Sequence, residues 1–219
     1  MSEQSNQPQS DNFVIRTFPV GPLQCNCSII GDTLTGKALV VDPGGDADKI
    51  LRLLKELNLR AVAIIHTHAH LDHILASGVI KEATGAPILL HEGDRFLWDM
   101  VEEQCARFGV PTVSLPEPDQ SIEDGQALDC CGGVAIHTPG HTPGSVSFWF
   151  DEYKTLIAGD TLFQGSIGRT DLPGGNFDQI KDSISQRLYS LSDDAVVITG
   201  HGPSTQIGIE KQTNNFIRG

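Results

Sequence analysis

The chain has 219 residues, of which 39% are hydrophobic, and this favours one domain built around a sizeable core. Its 15 lysines and arginines against 28 aspartates and glutamates give a formal charge of −13, which disfavours nucleic acid as a partner because phosphate binding needs clustered basic residues. No apolar run approaches the ~18 residues of a membrane-spanning helix, so no membrane partner is expected. The polar residues 1–12 are predicted to be a disordered tail before one domain over residues 13–219. The five cysteines indicate no disulfide framework, so a cytoplasmic protein is expected.

In the first half of the chain, strand patterns alternate with helical ones. The segments FVIRTFPV, NCSIIG and KALVVDPG predict an opening antiparallel meander, because turn signals separate them. Apolar residues at helical spacing after Asp46 predict the first helix. A strand ending at Ile65 then leads to helices predicted over residues 72–84 and 92–108.

The second half is predicted to be rich in strands from about residue 126 to residue 159. A helix over residues 177–191, the strand AVVIT and a short helix over residues 204–213 follow. The cysteine pairs Cys25 with Cys27 and Cys130 with Cys131 are expected to pack within strands. Because no linker or short repeat divides the chain, the pattern favours an α/β domain with two β-rich halves, each covered by helices.

Seven side chains of the metal-ligand type follow the ends of four predicted strands, AVAII, VAIHT, TLIAG and AVVIT: His68, His70, Asp72, His73, His141, Asp160 and His201. Imidazole and carboxylate groups suit zinc, iron and manganese, and two divalent ions roughly 4 Å apart need about this many ligands. We expect His68, His70 and His141 at one ion and Asp72, His73 and His201 at the other. Asp160 would bridge the two ions, and room for a shared water would make the site catalytic. The candidate catalytic carboxylates are Asp72 and Asp160, and zinc is the preferred ion.

The run T-H-x-H-x-D-H at residues 67–73, followed by a single His, Asp and His, resembles the metallo-β-lactamase superfamily over nearly the whole chain. V-D-P-G-G at residues 41–45, P-G-H-T-P-G-S at 139–145 and G-D-T-L-F at 159–163 look like the glyoxalase II group. G-R-T-D at residues 168–171 and the ending G-H-G-P are similar to the short single-domain bacterial members of that group. The resemblance implies an α/β, four-layer αββα sandwich with two metals at one edge.

The resemblance also implies an activity, namely hydrolysis of an anionic thioester by a hydroxide that bridges the two metals. The implied substrate is S-lactoylglutathione or a related hydroxyacylglutathione. Arg169 would bind a substrate carboxylate, with an ion pair to Asp171 as its alternative role. Asp42 would orient a ligand imidazole from behind, with a turn before Pro43 as its alternative role.

Two features depart from the glyoxalase II group. Pro203 stands where the group commonly has a tyrosine, and the basic C-terminal helices that grip glutathione have no counterpart here. A mono-iron glutathione persulfide dioxygenase of the same superfamily, using the residues that match His68, His141 and Asp160, is therefore one alternative. A lactone hydrolase with both metals is another. The remaining histidines, His66, His91 and His137, are expected to pack or cap.

Overall fold

Two β-sheets stack face to face, and each carries helices on its outer surface, which confirms the four-layer αββα sandwich. The structure is a computed structural model that describes residues 12–219. The tail expected over residues 1–12 therefore lies, except for Asn12, outside the described residues.

The first sheet has six strands in sequence order. They are β1 (Phe13–Val20), β2 (Cys25–Asp32), β3 (Lys37–Val41), β4 (Arg60–Ile65), β5 (Ile88–Leu90) and β6 (Gln120–Ser121). Strands β1 to β3 form the antiparallel meander that the turn signals predict. Strands β3 to β6 run parallel, so their carboxyl ends lie at one edge of the sheet.

The second sheet consists of β7 (Val134–His137), β8 (Val146–Phe150), β9 (Thr155–Gly159), β12 (Val196–Thr199) and β13 (Thr205–Gln206). Their order across the sheet is β13-β12-β9-β8-β7. A separate hairpin pairs β10 (Leu162–Phe163) with β11 (Ser166–Ile167). Strands β9 and β12 are parallel neighbours, and the connection between them includes the helical segment 177–190, which covers the outer face of this sheet.

The helices are short and lie on the two outer faces. They are α1 (Ala47–Glu56), α2 (Leu71–Ile74), α3 (Ser77–Thr84), α4 (Arg95–Asp99), α5 (Val101–Phe108), α6 (Phe177–Asp182) and α7 (Ile207–Thr213). Single 3-10 turns occupy Glu92–Asp94, Asp151–Tyr153 and Leu188–Ser190, and a π-helical turn occupies Ser183–Arg187. Among residues 12–219, no helix is long and apolar enough to cross a membrane.

Two of the helices predicted from the sequence are interrupted. The helix expected over residues 72–84 is divided into α2 and α3, because the N–H of Ala76 donates to the carbonyl of Pro43 at 2.8 Å. The helix expected over residues 92–108 is divided into a 3-10 turn, α4 and α5. Near the second break, the side-chain amide of Gln104 donates to the carbonyl of Leu97 at 2.7 Å.

Other boundaries also differ from the expectation. The helix predicted over residues 177–191 is regular only in α6, and α7 begins at Ile207 because Thr205 and Gln206 pair with β12. The pair Cys130–Cys131 lies in a turn and not in a strand, and Cys131 has a φ of 61°.

Three apolar layers alternate with the four layers of secondary structure. Successive strand residues point to opposite faces, so Leu39, Ile65 and Ile157 lie between the sheets while their neighbours face the helices. Phe148 and Phe150 fill the space between the sheets. Because both faces of the central strands are buried, these strands are continuous apolar runs, which is what made them predictable.

We expect Phe148→Ala to lower the free energy of unfolding by about 3–5 kcal/mol, because it leaves a cavity between the sheets where Phe148 is fully buried. The matched control is Leu34→Ala at a side chain with 77% exposure, which should change stability by less than about 0.5 kcal/mol. Urea unfolding with a chelator present measures both, so that metal binding adds nothing. Equal effects of the two substitutions would contradict this description of the core.

Candidate metal centre

All seven predicted ligands lie at the carboxyl ends of strands or in the chain that directly follows them. His68 and His70 lie between β4 and α2, while Asp72 and His73 are in α2 itself. His141 lies in the loop from β7 to β8, Asp160 directly follows β9, and His201 follows β12. The structure brings all seven to one edge of the sandwich.

The first group of donors consists of His68, His70 and His141. Each offers one ring nitrogen, and these atoms lie within 4.8 Å of one another. Nδ1 of His70 is 2.9 Å from Nε2 of His141. Two of these imidazoles come from the first sheet and one from the second, so the group spans the two sheets.

The second group consists of Asp72, His73 and His201, whose donor atoms also lie within 4.8 Å of one another. Nε2 of His201 is 3.0 Å from Oδ2 of Asp72, and Nε2 of His73 is 3.7 Å from the same oxygen. Like the first group, it takes two residues from the first half of the chain and one from the second.

Asp160 lies between the two groups. Its Oδ1 is 3.6 Å from Nε2 of His73, and its Oδ2 is 3.7 Å from Nε2 of His141 and 3.9 Å from Nε2 of His201. One carboxylate oxygen therefore faces the second group, and the other is within reach of both groups. This is the placement that a bridging carboxylate needs.

Three buried polar atoms at this centre have no hydrogen-bond partner, namely Nε2 of His68, Nε2 of His73 and Oδ1 of Asp160. Within residues 12–219 they are the only buried side-chain nitrogen or oxygen atoms in that state. A buried acceptor without a partner is costly, and a cation satisfies it. The donor set therefore fits metal ions.

Hydrogen bonds on the far side of the rings fix which nitrogen carries the proton. Nδ1 of His73 donates to Oδ2 of Asp42 at 3.0 Å, and Nδ1 of His141 donates to the carbonyl of Arg169 at 2.8 Å. The hydroxyl of Thr67 donates to Asp42 at 2.6 Å, so its oxygen is free to accept from Nδ1 of His68 at 3.1 Å. When these rings are neutral, the lone pair in all three is left on Nε2, which faces the centre.

The geometry of Asp42 suits both roles considered for it. Its φ of 51° places it in a turn after β3, and its carboxylate also accepts from the backbone N–H of Thr67 at 2.7 Å. Cys25 was expected only to pack, but its Sγ lies 3.4 Å from Nδ1 of His73. Cys25 is fully buried, so this thiol forms part of the wall behind the imidazole.

The electrostatics of the two groups differ. Burial lowers the pKa of His70 to about 3, and burial with the neighbouring histidines lowers the pKa of His68 well below its usual value, so these rings stay neutral. Burial also opposes a charge on His73, but the carboxylates of Asp72, Asp160 and Asp42 outweigh it and raise the pKa of His73. The field around the second group therefore favours a positive charge.

Glycines hold the ligand loops at close range. A Cβ on Gly44 would lie 1.4 Å from the carbonyl oxygen of Asp72, and one on Gly168 would lie 1.8 Å from that of Asp160. A Cβ on Gly200 would lie 1.9 Å from Oδ1 of Asp160. The glycines of the V-D-P-G-G, G-R-T-D and G-H-G-P motifs therefore allow backbone to pack directly against the ligands.

The centre opens into a cavity of about 290 Å³. Besides five of the seven ligands, its lining is mostly apolar: Leu23, Leu71, Phe108, Leu172 and Arg169. The Arg169 side chain is exposed and makes a bidentate ion pair with Asp171, with both N–O distances at 2.7 Å. The alternative role considered for Arg169 is thus the one that its side chain adopts here.

The other histidines behave as the pattern suggests. His66 is buried, with Nε2 at 2.8 Å from Oγ of Ser77 and Nδ1 donating to the carbonyl of Leu89 at 3.1 Å. His91 caps the 3-10 turn that follows it and stacks on His137, with ring centroids 4.2 Å apart.

Two further polar side chains, those of Asp94 and Gln104, support the loop that carries His68 and His70, and the sequence pattern does not mark either of them. Asp94, which follows β5, and Gln104, in α5, both hydrogen-bond to the backbone of Ala69, between His68 and His70. Their partners are remote in sequence, so only the fold reveals them.

A family model described as the Metallo-beta-lactamase superfamily matches residues 20–201. Among curated proteins, the chain is 40% identical over 207 residues to "Hydroxyacylglutathione hydrolase GloC" of Haemophilus influenzae, covering 93% of this chain and 97% of that protein. The chain is also 38% identical to "Probable metallo-hydrolase YqgX" of Bacillus subtilis, again covering 93% of this chain and 97% of the relative.

Solved structures share the fold. A "B3 metallo-beta-lactamase", BLEG-1, superposes with a TM-score of 0.87 at 36% identity, covering 94% of this chain and 100% of that one. TTHA1623 "in a di-iron-bound form" superposes with a TM-score of 0.85 at 35% identity, covering 92% and 100%.

We expect Asp160→Ala to reduce the metal content from two ions per chain to at most one, because it removes the carboxylate between the two groups. Elemental analysis after dialysis against zinc measures the change. Asp193→Ala, at an exposed aspartate paired with Lys211, is the control and should retain both ions. Two ions in the Asp160 variant would rule out the bridging role.

Proposed function

This chain belongs to the metallo-β-lactamase superfamily, a superfamily of metallo-hydrolases, and on that premise we propose that it hydrolyses thioesters. The proposed substrate is S-lactoylglutathione or a related hydroxyacylglutathione. The proposed cofactors are two divalent ions, with zinc preferred and iron or manganese as alternatives.

One observation carries the proposal. Two complete three-donor groups lie on either side of the Asp160 carboxylate, and the buried atoms without partners belong to His68, His73 and Asp160. Two ions would use all seven candidate ligands, whereas a single ion would use only part of them. The relative named as a hydroxyacylglutathione hydrolase supports the choice of substrate.

When bound, two such ions supply a water that ionises near neutral pH and polarise the carbonyl of the substrate. The residues of the chain orient the candidate ligands and shape the cavity beside them. Asp42 and the Arg169 carbonyl hold imidazoles in the tautomer that presents Nε2, and the apolar residues Leu23, Phe108 and Leu172 line the cavity beside them. A thiolate leaves readily, since thiols have pKa values near ~8.5, so no general acid is needed among the side chains.

Arg169 is the proposed contact for a substrate carboxylate. It lines the cavity and is the only lysine or arginine among the described residues that does so. Its partner Asp171 is exposed, as is Arg169 itself, so water screens the pair and a substrate carboxylate can replace Asp171 at little cost.

Ring hydrolysis is the second candidate, because a solved structure with 36% identity is named as a B3 metallo-β-lactamase. The persulfide dioxygenase remains an alternative, and the assays described below test it.

The five cysteines are free thiols, which supports the proposed cytoplasmic location.

The zinc-loaded protein should hydrolyse S-lactoylglutathione, and His73→Ala should remove most of that activity, because the second donor group loses an imidazole. The assays are thioester cleavage, oxygen uptake with glutathione persulfide, and turnover of a lactone and a β-lactam. A mono-iron dioxygenase would tolerate His73→Ala and would consume oxygen. Oxygen uptake without thioester cleavage would overturn the proposed function, as would turnover of a ring substrate alone.

Arg169→Ala should raise KM for a glutathione thioester roughly tenfold to a hundredfold, with a smaller change in kcat, because a contact to a charged group is lost. Asp171→Asn should instead lower KM, because it releases the guanidinium from its ion pair. A small neutral thioester is the control substrate and should respond to neither variant. Equal losses on both substrates in Arg169→Ala would show that Arg169 supports the loop and not the ligand.

A further inference from the structure

The loop that carries His68 and His70 has no regular secondary structure, so other groups must hold it. Its middle residue, Ala69, is held at both ends of its backbone. The N–H donates to Oδ2 of Asp94 at 2.9 Å, and the carbonyl accepts from the side-chain amide of Gln104 at 3.1 Å. The position of Ala69 sets the positions of the imidazoles on either side of it.

The same carboxylate also holds the loop that carries His141. The hydroxyl of Thr142, the next residue along, donates to Oδ2 of Asp94 at 2.7 Å. The N–H of Gly144 donates to Oδ1 at 2.6 Å. A Cβ on Gly144 would lie 2.7 Å from that oxygen, so a side chain there would force the carboxylate away.

Asp94 thus connects the backbone of one loop to the other loop through one carboxylate. It is fully buried, and among residues 12–219 no lysine or arginine lies within ion-pair distance of it. Burial raises its pKa, while the donors from Thr142, Ala69 and Gly144 act in the opposite direction. All three hydrogen bonds point into the carboxylate, which is an arrangement that an amide cannot reproduce, because one of its two atoms is a donor.

We propose that Asp94 is the positioning residue of the first donor group, and that it sets the distance between the pair His68 and His70 and the opposing His141. The inference rests on the metal centre of the proposed function. Asp94 has no hydrogen bond to Asp72, His73 or His201, so its effect is confined to one of the two groups. Asp42, by contrast, serves both groups, through His73 directly and through Thr67 to His68.

The test is a cobalt titration of the metal-free protein in two backgrounds, each with one intact group. In His73→Ala, where the first group is intact, adding Asp94→Asn should weaken cobalt binding about tenfold to a hundredfold, as loss of a residue that orients metal ligands does. In His141→Ala, where the second group is intact, the same change should alter the affinity by less than about threefold, because Asp94 has no hydrogen bond to Asp72, His73 or His201. The cobalt absorption spectrum should shift only in the first background.

Asp99→Asn is the matched control, since Asp99 is an exposed aspartate on α4 that pairs with Arg95, and it should change neither affinity. Thermal unfolding of the metal-free variants checks that each one folds. Thr142→Val keeps the Asp94 carboxylate and removes one donor, so it should give a smaller loss in the same background if Asp94→Asn does not fold.

Equal losses in both backgrounds would overturn the inference, because Asp94 would then support the fold in general. Unchanged affinity in the His73→Ala background would overturn it as well. A loss confined to the first group, in a protein that cleaves no thioester, would contradict the proposed substrate and leave the role of Asp94 standing.

Discussion

The metal centre depends on the packing of one sheet against the other. Each donor group takes two residues from the first half of the chain and one from the second, and Asp160 from the second half lies between them. Each group forms only when the apolar layer between the sheets, around Phe148 and Phe150, keeps the strand ends of both sheets at the same edge. Ions bound at this edge would in turn join the halves, since a ligand that binds only the folded state stabilises it.

The strands and the positions of the candidate ligands could be predicted because both leave local marks in the sequence. Strands buried on both faces are continuous apolar runs, and a histidine or aspartate directly after such a run stands out, as His201 does after AVVIT. Helix boundaries were harder to predict because remote partners decide them. The break at Ala76 depends on Pro43, and the interruption after α4 on the side chain of Gln104. No propensity within either helix encodes these contacts.

The residues that support the candidate ligands also differ in whether the sequence marks them. The V-D-P-G-G motif marks Asp42 in the sequence, but only the structure shows that Asp42 is linked through Thr67 to His68. Asp94 has no motif at all, because its partners Ala69 and Thr142 come from different halves of the molecule. A buried carboxylate is a strong acceptor for several donors at once, and this makes it suited to joining loops that no regular structure connects.

Charge explains how an acidic protein could take the proposed anionic substrate. The formal charge of −13 repels anions at long range, and the carboxylates of Asp72 and Asp160 do so at the centre itself. Two divalent ions would reverse the local sign, since four positive charges exceed those two carboxylates. Arg169 lies at the border of this field, paired with Asp171 in water. The pair keeps the guanidinium at the mouth of the cavity while holding it only weakly. Under the proposed function, Asp171, which would repel an anionic substrate there, is also the residue that a substrate carboxylate would displace from Arg169.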